Sequence, residues 1–290
     1  MKRHSVILFA ALLAAVPAAS AGPLVHTVTD AGGQVVSVPA QPQRILSLCT
    51  TVTDTLLRLG QKERLAGIDE FSRIVPGATN LPVLGKGSAL SREQVLARQV
   101  DLAFIWWYQD DAARMLEELR VPVVRIRCGR AEEVPATIQL VGDCLGLADA
   151  ASELGSSVSA RLVRLRQSAG TNGPRVYVEL YSPFKTSGRE SYLNDLIELA
   201  GGRNVAGEAA GPVLFSVERL LQSDPEIVLL IDGFGTPEQF ARRGGLENLS
   251  AVKTGRVYPI DRYCLVAGAA LPEDVTNLRR LFNSHTQTNP

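Results

Sequence analysis

The chain has 290 residues, and its 30 lysines and arginines balance 30 aspartates and glutamates, so the formal net charge at pH 7 is zero. This balance, with no dense basic cluster, argues against nucleic acid as the main partner. Hydrophobic residues make up 46% of the sequence, and the length is enough for two compact units or one large one, with a buried core in either case.

The first residues have the pattern of an export signal. Lys2, Arg3 and His4 precede an apolar run at 6–16, and small residues at 19–21 fit a cleavage site. We therefore expect a signal peptide over residues 1–21, cleavage near Ala21 and a periplasmic location. No later run approaches the roughly 20 apolar residues that a membrane-spanning helix needs, so we expect the exported chain to be soluble.

Strands and helices alternate through the first half of the mature chain. A hairpin is predicted over 25–39, with Gly32 and Gly33 at its turn. Strands are predicted at 44–48, 65–68 and 121–126, and helices at 52–59, ending at Gly60, and at about 110–119. This alternation is typical of a parallel sheet covered by helices.

One stretch of the first half recurs in the second half. Residues 91–105 align without a gap with residues 216–230, serine on serine and Glu93 on Glu218. Each serine can cap a short helix, and a glutamate two residues later is favoured by the helix dipole. The apolar runs at the two ends, 102–106 and 227–231, are typical of strands buried on both faces. The chain therefore has two related halves.

The halves are connected by two helical stretches, 131–146 and 148–167, and the second ends at a Gly-Thr-Asn-Gly-Pro break. A strand at 175–180 and a helix at 192–200 then repeat the order of the first half. When Gly201 is laid on Gly60, Asp195 falls on Asp54. We predict an α/β fold of two Rossmann-like αβ lobes with mostly parallel sheets, at 22–146 and 170–290. One long linker helix at 147–169 would join them.

Cysteine and histidine usage limits the possible metal sites. Four cysteines match no zinc spacing and allow three pairings: Cys49, Cys128, Cys144 and Cys264. Cys49 and Cys264 each follow a predicted strand, so they could form a disulfide across the lobes or present thiolates to a metal. His26 and His285 lie near the two ends of the mature chain, so a cage of several histidines is not expected.

Enzyme motifs are missing from the sequence. It has no G-x-S-x-G elbow and no Walker loop, and Gly85-x-Gly87 lacks the third glycine of a dinucleotide fingerprint. We therefore do not expect an enzyme. Carboxylate chemistry at Asp69, Asp110 or Asp111, as in a secreted hydrolase, is a remote alternative.

Several short motifs occur in a specific order along the chain. They are Arg-Ile-Leu-Ser-Leu at 44–48, Ser-x-Glu at 91–93 and 216–218, Thr-Ser-Gly-Arg-Glu-Ser at 186–191, Leu-Ala-Gly-Gly-x-Asn-Val at 199–205 and Gly-Arg-Val-Tyr at 255–258. Together they resemble periplasmic substrate-binding proteins of ABC importers for cobalamin, ferric siderophores and haem, the class with a single-helix linker. The resemblance covers nearly the whole mature chain, and Pro183-Phe184 before Thr186 is most similar to cobalamin-binding members. It implies a shallow cleft between two lobes, held by a rigid helix, with little closure when ligand binds.

Ligands of open α/β sheets gather outside the carboxyl ends of the strands. Candidates at or near these ends are Cys49, Thr50, Thr51, Trp106, Trp107, Tyr108, Tyr181, Phe184, Phe234, Arg262, Tyr263 and Cys264, with Lys86 from the loop before the first repeat. The aromatic residues offer apolar surface to a large planar or chelated ligand. Arg262 could meet a carboxylate or phosphate or be only a solvated charge. Because Trp106 and Trp107 are adjacent, one of them can be core.

The resemblance also implies the partners. Glu93 and Glu218 would engage arginines of a permease dimer at the inner membrane, and the protein would act as a monomer without a cofactor of its own. The ligand would be cobalamin, another corrinoid or a ferric siderophore. Haem is an alternative, with Tyr108, Tyr181 or Tyr263 as axial ligand. A ligand-sensing module of the same fold is another alternative.

Overall fold

The computed structural model describes residues 24–86, 89–170 and 172–284. The expected signal peptide and His285 lie outside the described residues. The strands are β1 (Val25–Thr29), β2 (Val35–Pro39), β3 (Ile45–Ser47), β4 (Leu65–Asp69), β5 (Val83–Lys86), β6 (Ala89–Leu90), β7 (Leu102–Trp106), β8 (Val123–Ile126), β9 (Arg175–Glu179), β10 (Lys185–Ser187), β11 (Arg203–Asn204), β12 (Pro212–Leu214), β13 (Ile227–Ile231) and β14 (Val257–Ile260). The α-helices are α1 (Thr50–Arg58), α2 (Arg92–Ala97), α3 (Asp110–Glu118), α4 (Val134–Leu145), α5 (Ala148–Gln167), α6 (Tyr192–Leu199), α7 (Val217–Ser223), α8 (Pro237–Ala241), α9 (Ser250–Lys253) and α10 (Leu271–Asn283).

Two separate, mainly parallel sheets confirm the predicted fold class. The first has the order β6-β5-β4-β3-β7-β8 and is parallel apart from the β5–β6 pair. The second has the order β11-β9-β13-β14 and is parallel throughout. The central strands β4 and β13 are buried at every position, because helices cover both faces of each sheet. Each sheet is the centre of one lobe.

The internal repeat is visible in backbone detail. The Oγ of Ser91 accepts the N–H of Gln94 at 3.3 Å, and the Oγ of Ser216 accepts the N–H of Arg219 at 3.2 Å. Both predicted helix caps are therefore confirmed. After the two helices, the aligned residues Gln99 and Asp224 adopt left-handed conformations, with φ of 52° and 38°. The two copies thus share a turn that is uncommon for residues other than glycine.

The lobes are joined through α5, which has 20 residues and is about 30 Å long at 1.5 Å per residue. It packs against α4 at the end of the first lobe and against α10 at the end of the second. One apolar cluster extends from the first lobe through α4 and α5 to α10. The lobe boundaries at 22–146 and 170–290 stay predictions, as does the linker range.

The β1–β2 hairpin is confirmed and forms a sheet of its own. It is held to the first lobe where Nε2 of His26 lies 2.9 Å from the carbonyl oxygen of Asp143 at the end of α4. No helix in the described part of the chain is long and apolar enough to cross a membrane.

All four cysteines are buried, unbonded thiols. The disulfide alternative for Cys49 and Cys264 is therefore not realised in this structure. Burial raises the pKa of Cys128 and of Cys144 to about 12, so these two side chains are protonated at neutral pH and act as small apolar groups. Within the described ranges, no cluster of histidine, cysteine, aspartate or glutamate side chains could hold a metal ion.

Candidate ligand-binding site

A pocket of about 400 Å³ lies between the lobes at the carboxyl ends of their strands. The first lobe contributes residues that follow β3, β4 and β7, and the second contributes residues that follow β9, β13 and β14. The lining consists of Thr50, Asp69, Phe71, Ile74, Trp106, Tyr108, Gln109, Tyr181, Phe234, Arg262, Leu265 and Val266. The volume falls within the roughly 300–1,000 Å³ that is usual for small-molecule sites.

The pocket walls expose large aromatic side chains to solvent. Tyr108 is 58% exposed, Tyr181 42%, Phe71 40% and Phe234 39%. Tyr181 and Phe234 meet edge to face with their ring centroids 5.2 Å apart. Large clusters of exposed apolar rings are uncommon on protein surfaces and mark sites that bind an apolar partner.

Arg262 is held among three of these rings. Its guanidinium carbon lies 5.3 Å from the ring centroid of Tyr181, 5.8 Å from that of Phe234 and 5.9 Å from that of Phe71. Its Nε is buried and donates no hydrogen bond to any part of the chain that the structure describes. The side chain is therefore a partly desolvated cation, held at the pocket wall with hydrogen-bonding capacity to spare.

Among the described residues that line the pocket, one is acidic. Asp69 is 2% exposed, and its Oδ1 accepts the N–H of Ser72 at 2.9 Å, which caps the 3₁₀ turn at Glu70–Ile74. Burial raises the pKa of Asp69, and the hydrogen bonds from Ser72 oppose that rise. Its side chain is therefore engaged in fixing the turn that carries Phe71 and Ile74. Because its carboxylate is engaged in this way, Asp69 is poorly suited to the carboxylate chemistry of the hydrolase alternative.

Six of the thirteen predicted residues line the pocket: Thr50, Trp106, Tyr108, Tyr181, Phe234 and Arg262. Cys49, Thr51 and Cys264 do not line it; they are buried, at 0%, 0% and 8% exposed. All three follow strands as predicted, but they are buried outside the pocket.

Three further predicted residues lie outside the pocket, and each contacts a side chain elsewhere in the protein. The Nζ of Lys86 lies 3.0 Å from Oε2 of Glu70 on the surface. Trp107 is 53% exposed and is covered by the guanidinium of Arg127, 5.6 Å from the ring centroid. Tyr263 turns away from the ligand space and donates its hydroxyl to Asp54.

Phe184 is also directed away from the cleft. It has a left-handed φ of 62°, and its N–H donates to Oε2 of the buried Glu179 at 2.9 Å. The same carboxylate pairs with Arg243, whose guanidinium carbon lies 5.5 Å from the ring centroid of Phe184. The buried acid thus holds the turn in a conformation that packs Phe184 against the far side of the second sheet.

Six lining residues were not among the predicted ligand residues: Asp69, Phe71, Ile74, Gln109, Leu265 and Val266. Asp69 ends β4, so the rule that selects residues at strand ends also points to it. Gln109 is held at the site because its Oε1 accepts the N–H of Trp106 at 2.8 Å. Most of the others belong to the 3₁₀ turns at Glu70–Ile74 and Arg262–Leu265, which carry no periodic signal in the sequence.

Glu93 and Glu218 are exposed and lie at the pocket end of their lobes. The N–H of Ser91 donates to the carbonyl of Leu84 at 3.1 Å, so α2 begins beside β5, which pairs with the last two residues of β4. The N–H of Phe215 donates to the carbonyl of Phe184 at 2.9 Å, so α7 begins just beyond β9. A hydrogen bond from Ser216 lowers the pKa of Glu218 and keeps that side chain charged.

Comparisons with known proteins agree with this geometry. A family model described as periplasmic binding protein matches residues 45–263. Relatives include an uncharacterized ABC transporter substrate-binding lipoprotein of Bacillus subtilis, 25% identical over 81% of this chain and 78% of its own. Another is a cobalamin-binding protein of Halobacterium salinarum, 24% identical over 90% of this chain and 74% of its own.

Solved structures show the same fold. A periplasmic haem-binding protein of Roseiflexus superposes with a TM-score of 0.77 at 23% identity, covering 83% of this chain and 98% of its own. A periplasmic solute-binding protein of Veillonella parvula superposes with a TM-score of 0.76 at 24% identity, covering 92% and 89%. Because the family model spans most of the chain, the protein belongs to the periplasmic binding protein family, whose members are binding components of transporters.

Proposed function

We propose that this chain is a periplasmic solute-binding protein that captures a metal-chelate ligand and delivers it to the permease of an ABC importer. The ligand would be cobalamin, another corrinoid or a ferric siderophore, bound between the lobes. The observation that carries the proposal is the open pocket lined by Phe71, Tyr108, Tyr181 and Phe234. These rings suit a large ligand with extensive apolar surface better than a small polar solute.

The ligand can be identified by titration calorimetry and absorption spectroscopy of the purified protein with cyanocobalamin, a panel of ferric siderophores and haemin. We expect saturable binding of cyanocobalamin or a siderophore. Replacing both Tyr181 and Phe234 with alanine should weaken binding, because together they form one wall of the pocket. Leu214 is 69% exposed and does not line the pocket, so Leu214→Ala is the matched control. Failure of the whole panel to bind would overturn the proposal.

Haem is a second candidate because Tyr108 and Tyr181 line the pocket, and a tyrosine can serve as an axial haem ligand. Tyr263 is less suited, since its hydroxyl is engaged with Asp54 and Arg58. A haemin complex whose visible spectrum changes in Tyr108→Phe or Tyr181→Phe would favour haem over the corrinoid. An unchanged spectrum in both variants would remove tyrosine ligation.

Delivery would use Glu93 and Glu218 as acidic contacts for arginines of the permease. Support comes from the exposure of both glutamates and from their shared position at the pocket end of the two lobes. Reversing both charges to arginine should leave ligand affinity unchanged and abolish uptake in cells. The control is reversal of Glu63 and Glu247, which are also exposed but lie near the amino ends of the strands. Wild-type uptake in the Glu93→Arg/Glu218→Arg variant would contradict the docking role.

The proposal includes export, with cleavage of the first residues near Ala21. N-terminal sequencing of the protein recovered from the periplasmic fraction tests this directly. A mature N-terminus at Gly22 is expected, and an intact Met1 on protein retained in the cytoplasm would contradict it.

A further inference from the structure

Two buried aspartates at equivalent positions of the two halves both bind groups of the opposite lobe. Asp54 lies on α1 before Gly60, and Asp195 lies at the same spacing on α6 before Gly201. Both glycines end their helices with positive φ, 72° and 88°. The aspartates are 2% and 8% exposed, so each carboxylate must be satisfied by partners within the protein.

The first aspartate binds the segment that leads into α10. Its Oδ2 accepts the N–H of Ala269 at 3.0 Å, and its Oδ1 accepts from Nε of Arg58 at 2.9 Å and from the hydroxyl of Tyr263. We call Asp54, Arg58, Tyr263 and Ala269 the Asp54 clasp. A Cβ at Gly268 would lie 2.5 Å from the same carboxylate, so glycine there permits the close approach.

The second aspartate makes the reverse connection, from the second lobe to the first. Its carboxylate accepts from Nε of Arg130 at 2.9 Å and from Nη2 at 2.7 Å, a bidentate pair, and it also accepts the N–H of Ala131 at 2.8 Å. We call Asp195, Arg130 and Ala131 the Asp195 clasp. Bidentate guanidinium–carboxylate pairs fix orientation as well as distance.

The two clasps are related by the symmetry of the repeat. Each aspartate accepts a backbone N–H just ahead of the last helix of the other lobe, at Ala131 before α4 and at Ala269 before α10. Negative charge is favoured there by the helix dipole. Since α4 and α10 both pack on α5, the connecting helix and the two clasps together hold the lobes at three places.

Both clasps are connected to the pocket through neighbouring residues. Thr50, one turn before Asp54 on α1, lines the pocket, and Tyr263 is adjacent to the lining residue Arg262. Near the other clasp, the hydroxyl of Tyr192 donates to the carbonyl of Val266 at 3.0 Å, and Val266 also lines the pocket. We propose that Asp54 and Asp195 are positioning residues that set the spacing of the two lobes and thereby the width of the ligand pocket.

The lobe spacing can be measured without ligand, by pulsed electron resonance between spin labels at Glu117→Cys and Glu247→Cys, one on each lobe. The native cysteines are buried and should not be labelled. The wild type should give one narrow distance distribution. The variants Asp54→Asn, Asp195→Asn and their combination should give a broader or displaced one, and so should Gly268→Ala.

The control is Asp224→Asn. Asp224 accepts the N–H of Ser250 at 2.8 Å and its hydroxyl at 2.7 Å, but these partners all lie within the second lobe. It should lower stability without changing the distance distribution. An unchanged distribution in both single clasp variants, or an equal broadening in the control, would overturn the inference.

The effect on ligand rests on the proposed function, so it is a separate arm of the test. With cyanocobalamin as the probe, the combined clasp variant should release ligand about tenfold faster, equivalent to about 1.4 kcal/mol, and the control variant should not. If cyanocobalamin fails to bind the wild type, the proposed function loses support while the distance measurement still decides the role of the clasps. Normal release from a variant with altered spacing would refute the link between spacing and pocket.

Discussion

Replacing Arg262 with methionine tests whether the charge at the pocket wall recognises an anionic group of the ligand. Methionine keeps an apolar stem among the three rings and removes the guanidinium. The charge lies 5.3 to 5.9 Å from the three ring centroids, and each such contact contributes about 0.5–1 kcal/mol at a partly exposed site. We therefore expect a modest loss of folding stability, of about 1–2 kcal/mol after the gain in apolar packing.

The Arg262→Met variant should lose more affinity for a ligand that has an acidic group than for a ligand that lacks one. The buried Nε has no partner within the described residues, and a hydrogen bond from it to a phosphate or carboxylate contributes about 1.5–3 kcal/mol. Affinity for cyanocobalamin, which has a phosphate, should fall about tenfold to a hundredfold. Affinity for dicyanocobinamide, which lacks the phosphate, should change much less.

The assay is titration calorimetry with both ligands, beside denaturant unfolding of each variant. Arg127→Met is the matched control, because Arg127 also covers an exposed ring, that of Trp107, but does not line the pocket. Equal losses of affinity in the two variants, or equal losses for the two ligands, would refute anion recognition by Arg262.

Two further predictions concern ionisable groups in the interior, away from the pocket. Arg243→Met leaves Glu179, 2% exposed, without the partner now at 2.6 Å, and should destabilise the fold by about 3–5 kcal/mol in denaturant unfolding. Adding Glu179→Gln to Arg243→Met should recover part of the lost stability. A loss below about 1 kcal/mol in Arg243→Met alone would contradict the prediction. Burial raises the pKa of Asp274 from 3.8 to about 7, so the folded state retains a proton that the unfolded state releases. The free energy of unfolding should therefore fall between about pH 4 and 7, by at most about 4 kcal/mol. Asp274→Asn should remove that fall. If the free energies of unfolding of the wild type and of Asp274→Asn change in parallel with pH, the prediction is contradicted.

The parts of the fold that sequence predicts well depend on short-range chemistry. The serine caps at Ser91 and Ser216 need only an oxygen near the next free N–H groups, and the strand at Ile227–Ile231 needs only an apolar run of the right length. The glycines that end α1 and α6 follow the same local rule. Because these signals occur twice in the same order, the two-lobed α/β architecture is predictable from the chain alone.

The candidate site is only partly predictable, because its shape depends on contacts between distant segments. Cys49 and Cys264 follow strands as expected, yet both are buried and lie outside the pocket. Phe184 follows a strand too, but the buried Glu179 fixes its turn in the other direction. Phe71 reaches the pocket from a 3₁₀ turn that is capped by Asp69. Strand ends therefore predict which segments meet at the cleft, while the orientation of each side chain requires the packed structure.

The single long helix α5 has a consequence for the heat of ligand binding. Lobes that are already joined through a helix and a shared apolar core have little further protein surface to bury when ligand enters. The heat-capacity change of binding should then come mainly from the ligand and the pocket wall that it covers. It should increase with the apolar area of the ligand, and little of the binding energy should be spent on ordering the protein.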